Sequence, residues 1–479
     1  MKKSLLLLSA ALIGVSAAGF ARSEKRGYSV NSMMEVDYAA LEPGARWFYD
    51  WGANPPSDEG PTFMNFDLEF CPMVWNTNYS VETLDAMYAK YGSHVKYVLG
   101  YNEPNFTDQA HLTPQQAAAD WPRFQNWALS KGLKIVSPAV NWSAWQQYND
   151  PVTWLEEFFD LLPDKGANID YVACHFYVPT AESLMGNVER LKKFGKPIWV
   201  TEYCAASGSI SNSATTQMTY MLHTLKALEQ DPDVFRYAWF MARTGNTSWD
   251  AINLLQRFPN QGNLTQLGYA FTYMWDFPVD FYHNPLEAFR AVDFSSMNGI
   301  QVAAIPAEMP LADEYKIAVD DLGNGAKNEY VEYQVDFAQA GTYDLDIVAG
   351  IRSNTSIELY WNGQKALDLQ PLEGTGGVGK YASRKISGVN IPVAGKGILR
   401  VVPSRSMQLS QLKFTRTGDA GVESINGDNA QDFTVEGNTI AGAGVEVYTL
   451  SGLKVAPENL AAGIYLVRQN GKVKKVQIL

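Results

Sequence analysis

Two glutamates each follow a short apolar run that has the character of a buried strand. Glu103 comes after residues 97–99 in YVLGYNEPN, and Glu202 lies in WVTEYC. Two carboxyl groups that share a cleft can break an acetal: one protonates the leaving oxygen while the other reacts with the anomeric carbon. In that chemistry we expect Glu103 to be the acid/base and Glu202 the nucleophile. A single glutamate after a strand is usually a solvated surface residue, so the inference depends on the pair.

Other side chains at the ends of predicted strands are candidates for substrate contact. Asn102 can donate to a sugar 2-hydroxyl. His175 and Tyr177, in HFY, can orient the nucleophile or donate to it, although a packed barrel layer is the alternative. Aromatic rings that could stack on sugar units, or simply fill the core, stand at four positions: Trp51, Trp75, Trp142 and Trp145. The five His and three Cys show no zinc-like spacing, so neither a metal nor a cofactor is expected.

These residues need a scaffold, and the chain from about 25 to 273 alternates apolar runs with amphipathic segments, as βα units do. Eight runs are present, the number of a (β/α)8 TIM barrel: RGYSV, ARWFYDW, LEFCPMVW, KYVLGYN, LKIVSPAV, YVACHFYV, PIWVTEYC and RYAWFMAR. The carboxyl ends of barrel strands meet at one mouth. Glu103 ends the fourth run and Glu202 the seventh, so the two should face each other there. Arg243, after the eighth run, could pair with a catalytic carboxylate or stabilise the mouth.

The remaining segments predict an α/β protein of several parts. Lys2 and Lys3 precede an apolar stretch and small residues through Ala21, which indicates a signal peptide at 1–21 and cleavage after Ala18 or Ala21. The barrel is assigned to 22–300. Alternating segments separated by turns predict an antiparallel β-sandwich at 301–416, a polar linker at 417–440 and a small β domain at 441–479. No transmembrane span is expected.

Charge and aromatic content narrow the possible partners. The formal charge of −13 argues against nucleic acid, whose phosphates would be repelled. The 13 Trp and 25 Tyr fit a large core and a sugar-binding surface alike. Three Cys do not form a disulfide scaffold, and buried thiols are expected. A polysaccharide is therefore the favoured partner.

The barrel motifs WFYDWG, CPMVW, LGYNEPN, KIVSPAV, DYVACHFY, KPIWVTEY, RYAWFMAR and GNLTQLGYAF occur in this order. Together they resemble glycoside hydrolase family 128, which belongs to the clan of barrels with catalytic glutamates on strands four and seven. The resemblance implies a retaining endo-β-1,3-glucanase with Glu103 as acid/base and Glu202 as nucleophile. Endo or exo action stays open. Another β-glycan as substrate, or a non-catalytic surface glycan-binding protein, is the alternative.

The later segments carry two further resemblances. PAEMP, EYVEYQVDFAQAGTYDLDIVAG and LKFTRTG resemble a family 6-like carbohydrate-binding module, although Trp361 is the segment's one tryptophan and MQLSQLKF replaces an Asn-Leu-Asp-type run. Sugar binding and a spacer role both stay open, and calcium at Glu308 is not expected. VYTLSGLKV with AGIYLVRQNGKVKKVQIL resembles the sorting domain of the type IX secretion system. This resemblance implies a Bacteroidetes-like source and a secreted or cell-surface location. It also implies the type IX secretion machinery as a partner.

Overall fold

The computed structural model describes residues 22–57, 59–275, 278–323, 329–418, 433–450, 452–461, 463–469 and 472–478. The predicted signal peptide, 1–21, and residues 419–432 of the predicted linker lie outside these ranges. By internal contacts the chain divides into two units. The first contains the barrel and the sandwich through Arg416, and the second contains residues 340–342 and 417–479.

Each of the eight apolar runs contains a strand of one parallel sheet. The strands are β1 (Arg26–Ser29), β2 (Trp47–Tyr49), β3 (Glu69–Phe70), β4 (Tyr97–Leu99), β5 (Lys134–Val140), β6 (Tyr171–Val178), β7 (Ile198–Ala205) and β8 (Val234–Trp239). Their order is β3-β2-β1-β8-β7-β6-β5-β4. A parallel bridge between Met73 and Leu99 joins the two ends of this order. The predicted (β/α)8 barrel is therefore confirmed.

Helices connect the strands and cover the outside of the barrel. The α-helices are α1 (Glu35–Leu41), α2 (Val81–Tyr91), α3 (Pro114–Ser130), α4 (Pro151–Leu161), α5 (Ala181–Leu191), α6 (Ala214–Gln230) and α7 (Gln266–Tyr273). The connection between β2 and β3 instead carries the 3-10 helix Gly60–Asn65. Other 3-10 segments are Gly92–His94, Gln146–Tyr148, Lys192–Phe194 and Thr247–Ile252. The local chemistry fits these ends: Ser80 accepts a hydrogen bond from the Thr83 N–H and so caps α2.

Two apolar layers hold the barrel together. Alternate strand positions, among them Trp47, Leu99 and Trp199, form a cluster inside it. The other positions pack under the helices, for example Phe48 and Tyr203. All three cysteines are free and buried, as the sequence predicted. In the part of the chain described here, no helix combines the length and apolar character that crossing a membrane would need.

The sandwich belongs to the same unit as the barrel. Its strands are β9 (Phe289–Arg290), β10 (Ser296–Asn298), β11 (Gln301–Ala304), β12 (Ile317–Leu322), β13 (Tyr330–Phe337), β14 (Gly341–Gly350), β15 (Thr355–Trp361), β16 (Gln364–Leu372), β17 (Tyr381–Ile391), β18 (Gly395–Pro403) and β19 (Met407–Gly418), with the short helix α8 (Ala312–Tyr315) before β12. One sheet has the order β10-β13-β18-β15-β16; the other has β11-β12-β19-β14-β17, with β9 beside β19. Both sheets thus include strands that precede residue 301.

The second unit is a small β structure. Its strands are β20 (Phe433–Glu436), β21 (Thr439–Gly442), β22 (Glu446–Thr449), β23 (Lys454–Val455), β24 (Gly463–Gln469) and β25 (Lys472–Ile478). The pairs are β20-β21 and, separately, β23-β22-β24-β25. β20 and the first two residues of β21 lie in the segment 417–440 that the sequence assigned to a linker. A two-residue turn of Gly437, at φ 61°, and Asn438 joins the two strands, so polar turn residues that resemble a linker in composition here form a hairpin.

Candidate active site

The barrel mouth brings Glu103, His175 and Glu202 together. One ligand atom from each of the three lies within 4.8 Å of the others, and all three residues are buried. The His175 Nδ1 atom is 3.0 Å from Glu103 Oε1 and 3.3 Å from Glu202 Oε2. Glu202 comes 99 positions after Glu103 in the sequence, and the barrel places their carboxyl groups side by side.

Glu202 reaches the inside of the barrel because β7 contains a bulge. Trp199 lies in the interior cluster, so strict alternation would place Thr201 inside and Glu202 under the helices. The register between β6 and β7 shifts, however: Cys174 pairs with Val200, but His175 pairs with Glu202. The extra residue on β7 turns Glu202 inward, opposite His175.

Three donors surround the Glu202 carboxylate. Its Oε1 accepts a hydrogen bond of 2.9 Å from the Tyr49 hydroxyl and one of 2.7 Å from the Trp51 indole N–H. Its Oε2 accepts from the Tyr177 hydroxyl. Hydrogen bonds to a carboxylate stabilise the ionised form, so this arrangement holds a negative charge in a fixed orientation.

Glu103 has a different environment. Its Oε1 accepts from the Asn141 side-chain amide at 3.0 Å and contacts His175, whereas no described residue makes a hydrogen bond to its Oε2. Its backbone lies in the left-handed region, at φ 41°, and its N–H donates to the Ala139 carbonyl at 2.8 Å. Strain of about 1–3 kcal/mol at such a position is typical of functional sites. One oxygen of Glu103 is thus held, and the other can carry and donate a proton.

His175 links the two carboxylates. Because carboxylate oxygens accept, the contacts assign a hydrogen to Nδ1. Burial lowers the pKa of His175, but the neighbouring Glu202 and Glu103 carboxylates outweigh it, and the net pKa lies above its usual value. Burial raises the pKa of the Glu202 carboxyl, and the nearby Glu103 charge raises it further. His175 and the hydrogen-bond donors around Glu202 lower it, but the net pKa lies above the usual value. The pair therefore disfavours two simultaneous negative charges.

The other residues predicted to contact substrate make different contacts in the structure. Trp51, expected as a stacking platform, donates to Glu202. Asn102 is buried, and its amide donates to Gln109 at 3.1 Å. Its Oδ1 has no hydrogen-bond partner among the described residues. Trp75 is half-buried against the core. Trp145 packs edge-on against the rings of two neighbours, His111 and Tyr148, each with centroids 4.9 Å away.

Trp142 is the predicted aromatic that is presented to solvent. Its side chain is 41% exposed, and its indole N–H donates to Asn187 at 2.9 Å. The Arg190 guanidinium lies 4.9 Å from the ring centroid and forms a 2.5 Å ion pair with Asp150. These contacts hold the ring in place while leaving part of it free, as a sugar platform requires.

Sequence reasoning missed Tyr49, Asn141 and Phe240. Tyr49 lies two residues before Trp51 on the same strand face, and Asn141 directly follows β5, so a search for polar groups at every strand end would have found both. The Phe240 ring packs edge-on against Tyr177 at 5.3 Å and against Trp51 at 6.0 Å.

Arg243 does not reach the carboxylates. It forms a buried bidentate pair with Asp37 of α1, with contacts of 2.8 and 2.6 Å. The sequence left two roles open for Arg243, and the structure supports the stabilisation of the barrel mouth.

Glu103, His175 and Glu202 also have the donor types and spacing of a three-ligand cation site. The surrounding groups fit this use poorly. Tyr49, Trp51 and Tyr177 direct hydrogens at Glu202 and thereby satisfy its charge without a cation. The donor set fits an acid–base pair better than a metal centre.

The family model described as glycosyl hydrolase catalytic core matches residues 28–271, about half of the chain. Among curated proteins, Alkali-sensitive linkage protein 1 of Schizosaccharomyces pombe is 25% identical over 232 residues, which are 46% of this chain. The match covers 39% of that protein's own length.

Two solved structures illustrate the similarity. A family 128, subgroup II endo-β-1,3-glucanase from Pseudomonas viridiflava is 33% identical, with 52% of this chain and 98% of that chain covered and a TM-score of 0.47. A subgroup V exo-β-1,3-glucanase from Cryptococcus neoformans is 26% identical, with 52% and 98% covered and a TM-score of 0.41.

Proposed function

The chain belongs to the glycosyl hydrolase catalytic core family and is a glycoside hydrolase; on this premise, we propose that it hydrolyses β-1,3-glucan with retention of anomeric configuration. The observation that carries the mechanism is the separation of the carboxyl groups, whose nearest ligand atoms lie within 4.8 Å. Retaining enzymes hold the two groups about 5–5.5 Å apart, whereas inverting enzymes need roughly 6.5–9.5 Å to admit a water molecule.

The first step transfers the sugar to the enzyme. A Glu202 carboxylate oxygen bonds to the anomeric carbon, the bond to the leaving oxygen breaks, and Glu103 transfers its proton to that oxygen. The donors around Glu202 fix its direction of attack. In the second step Glu103 removes a proton from water, the water oxygen replaces Glu202 at the anomeric carbon, and both carboxyl groups return to their starting states.

The hydrogen bonds support placing the single proton of the pair on Glu103. Both oxygens of Glu202 already accept hydrogen bonds, so a proton there would displace a donor. Glu103 Oε2 has no such donor among the described residues and can therefore hold the proton without losing a hydrogen bond. His175 contacts both carboxyl groups and stabilises the remaining negative charge on either side of the reaction.

The β-1,3 linkage is supported by the motif resemblance to glycoside hydrolase family 128. Laminarin is the first substrate to test, because this resemblance implies cleavage of β-1,3 bonds. Another β-glycan is the second candidate, and linkage-defined oligosaccharides distinguish the two. Preference for an oligosaccharide without β-1,3 bonds would reject the proposed linkage and retain the reaction.

Activity on laminarin tests the catalytic pair. We expect Glu103→Gln and Glu202→Gln each to lower kcat/KM by at least about 100-fold. Glu189→Gln, at an exposed glutamate of α5, is the matched control and should behave as the wild type. Proton NMR of the first product should show the β-anomer before mutarotation. Initial release of the α-anomer, or unchanged hydrolysis in either variant, contradicts the mechanism.

We further propose that the enzyme acts outside the cell after cleavage of the signal peptide and type IX sorting. Support comes from the charged and apolar pattern of residues 1–21 and from the motifs of the last segment. Fractionation of cells that express the full chain, beside a chain ending at residue 416, tests this. Equal distribution of both chains would reject the sorting role.

A further inference from the structure

Asp50 lies between the end of β2 and Trp51, one of the donors to Glu202. Its Oδ1 accepts a hydrogen bond of 3.2 Å from the Gly52 N–H, so the side chain closes a turn around Trp51. Aspartate commonly forms such a turn, because its carboxylate reaches the N–H two residues later. Asp50 itself makes no hydrogen bond to either catalytic glutamate.

Trp51 has a backbone conformation that large side chains do not favour. Its φ of 63° lies in the left-handed region, where such a residue is rare unless its surroundings hold it there. The chain is fixed on both sides of the turn. The Tyr49 carbonyl accepts a backbone hydrogen bond of 3.0 Å from the segment after β1, and the Gly52 carbonyl accepts one of 2.8 Å from the segment after β3. Between these two anchors, the Asp50 carboxylate supplies the side-chain hydrogen bond that closes the turn.

The turn directs the indole of Trp51 at Glu202. The indole N–H donates to Oε1 at 2.7 Å, and the Tyr49 hydroxyl donates to the same oxygen at 2.9 Å. The Trp51 ring also packs edge-on against Tyr49 and Phe240, with centroids 5.3 and 6.0 Å away. A change in the backbone at Trp51 would turn its N–H away from Oε1 and remove one of the two donors. Hydrogen bonds of this kind stabilise the ionised form of a carboxyl group.

We propose that Asp50 is a positioning residue: its carboxyl group holds Trp51 in the conformation that donates to Glu202 and thereby fixes the orientation of the nucleophile. The role of Glu202 as nucleophile rests on the proposed function. The hydrogen bond from Gly52 needs an acceptor and not a charge. No cation among the described residues pairs with Asp50, and burial raises its pKa to about 7. An amide oxygen at position 50 should therefore replace the carboxyl group.

A second turn in the chain provides a matched control. Asp164 Oδ1 accepts from the Gly166 N–H at 2.9 Å, and the residue between them, Lys165, has a φ of 53°. This turn connects α4 with β6, so it lies at the end of the barrel opposite the carboxyl ends of the strands. Asp164→Ala should therefore disturb a turn of the same kind and leave the pKa of Glu202 and the activity unchanged.

The test measures the pKa of the Glu202 carboxyl in these variants. Carbon-13 NMR titration of protein labelled at the glutamate carboxyl carbons gives this pKa without turnover, and Glu202→Gln assigns the signal. Asp50→Ala should raise the pKa by roughly 1–2 pH units, because a hydrogen bond to the ionised form is lost. Asp50→Asn should keep it near the wild-type value. Loss of the Asp50 charge would by itself lower the pKa of a nearby carboxyl group, so the sign of the change separates lost positioning from lost charge.

Kinetics on laminarihexaose give a second readout. Asp50→Ala should lower kcat about 10-fold or more with KM little changed, because Asp50 orients the nucleophile through Trp51 and does not bind the substrate. Trp51→Phe should raise the pKa of Glu202 by a similar amount. Combining the two substitutions should add little to either one alone, since both remove the same hydrogen bond.

Four results would overturn the proposal: an unchanged pKa of Glu202 in Asp50→Ala, an additive effect in the double variant, a defect in Asp50→Asn equal to that of Asp50→Ala, or the same rise in Asp164→Ala. If Asp50→Ala does not fold, Asp50→Leu carries the same expectation, because leucine has nearly the shape of aspartate but no acceptor. If the wild type fails to cleave laminarihexaose, the proposed function fails, and the NMR titration still decides the role of Asp50.

Discussion

Removal of the Tyr177 hydroxyl should move the acid limb of the pH–rate profile to higher pH. Tyr177 donates to Oε2 of Glu202, and a hydrogen bond to a charged group is worth about 1.5–3 kcal/mol. Since one pKa unit corresponds to about 1.36 kcal/mol, Tyr177→Phe should raise the pKa of Glu202 by roughly 1–2 units. The direction follows because the lost donor stabilises the ionised form, which is the form that attacks in the proposed mechanism.

The measurement is kcat/KM on laminari-oligosaccharides from acid to mildly alkaline pH. Activity of Tyr177→Phe should fall most at acid pH, where Glu202 gains a proton, and recover as pH rises. Tyr203→Phe is the matched control: it removes a buried hydroxyl from the residue after Glu202 that makes no hydrogen bond to the carboxylate. An acid limb that stays in place in Tyr177→Phe, or moves equally in Tyr203→Phe, would refute the assigned role.

Three further changes test other parts of the structure. Glu202→Gln should raise the midpoint of thermal unfolding at neutral pH, because a group whose pKa is raised in the folded state destabilises the fold when it is ionised. This gain should vanish below the pKa of an unfolded glutamate, about 4.3. Thermal melts at neutral pH and below that value check the prediction. Arg243→Leu should lower the free energy of unfolding by about 3–5 kcal/mol, because the buried Asp37 carboxylate loses its partner. Denaturant titration measures that loss, and adding Asp37→Asn should recover part of it. Trp142→Ala should raise KM for long oligosaccharides about 10-fold with kcat little changed. If the variant changes KM equally for short and long oligosaccharides, Trp142 does not contact substrate in the cleft.

Much of the barrel could be predicted because its signals are local. Apolar runs of four to eight residues between amphipathic segments identify parallel strands, and all eight runs proved to contain one. Once the strands are counted, topology alone brings their carboxyl ends together. This is why Glu103 and Glu202 could be paired across 99 residues of sequence without coordinates.

The surroundings of the pair could not be predicted in the same way. Alternation from Trp199 points Glu202 away from the cleft, and the β7 bulge that reverses this depends on pairing with β6 and β8. The role of Trp51 as a donor to Glu202, and not as a platform, depends on a left-handed backbone at φ 63°. Likewise, the Arg190 contact with Trp142 joins two elements whose proximity no local pattern encodes.

The amino-acid sequence by itself determined the barrel, the sandwich, the pair of glutamates and their order along the chain, because apolar periodicity and strand count act over short segments. Only the tertiary structure decided that donors hold both oxygens of Glu202, whereas on Glu103 they hold Oε1 and leave Oε2 for a proton. The physical reason is that hydrogen bonds and charge pairs depend on distances of a few ångströms between strands. Register shifts and bulges set those distances after the chain has packed.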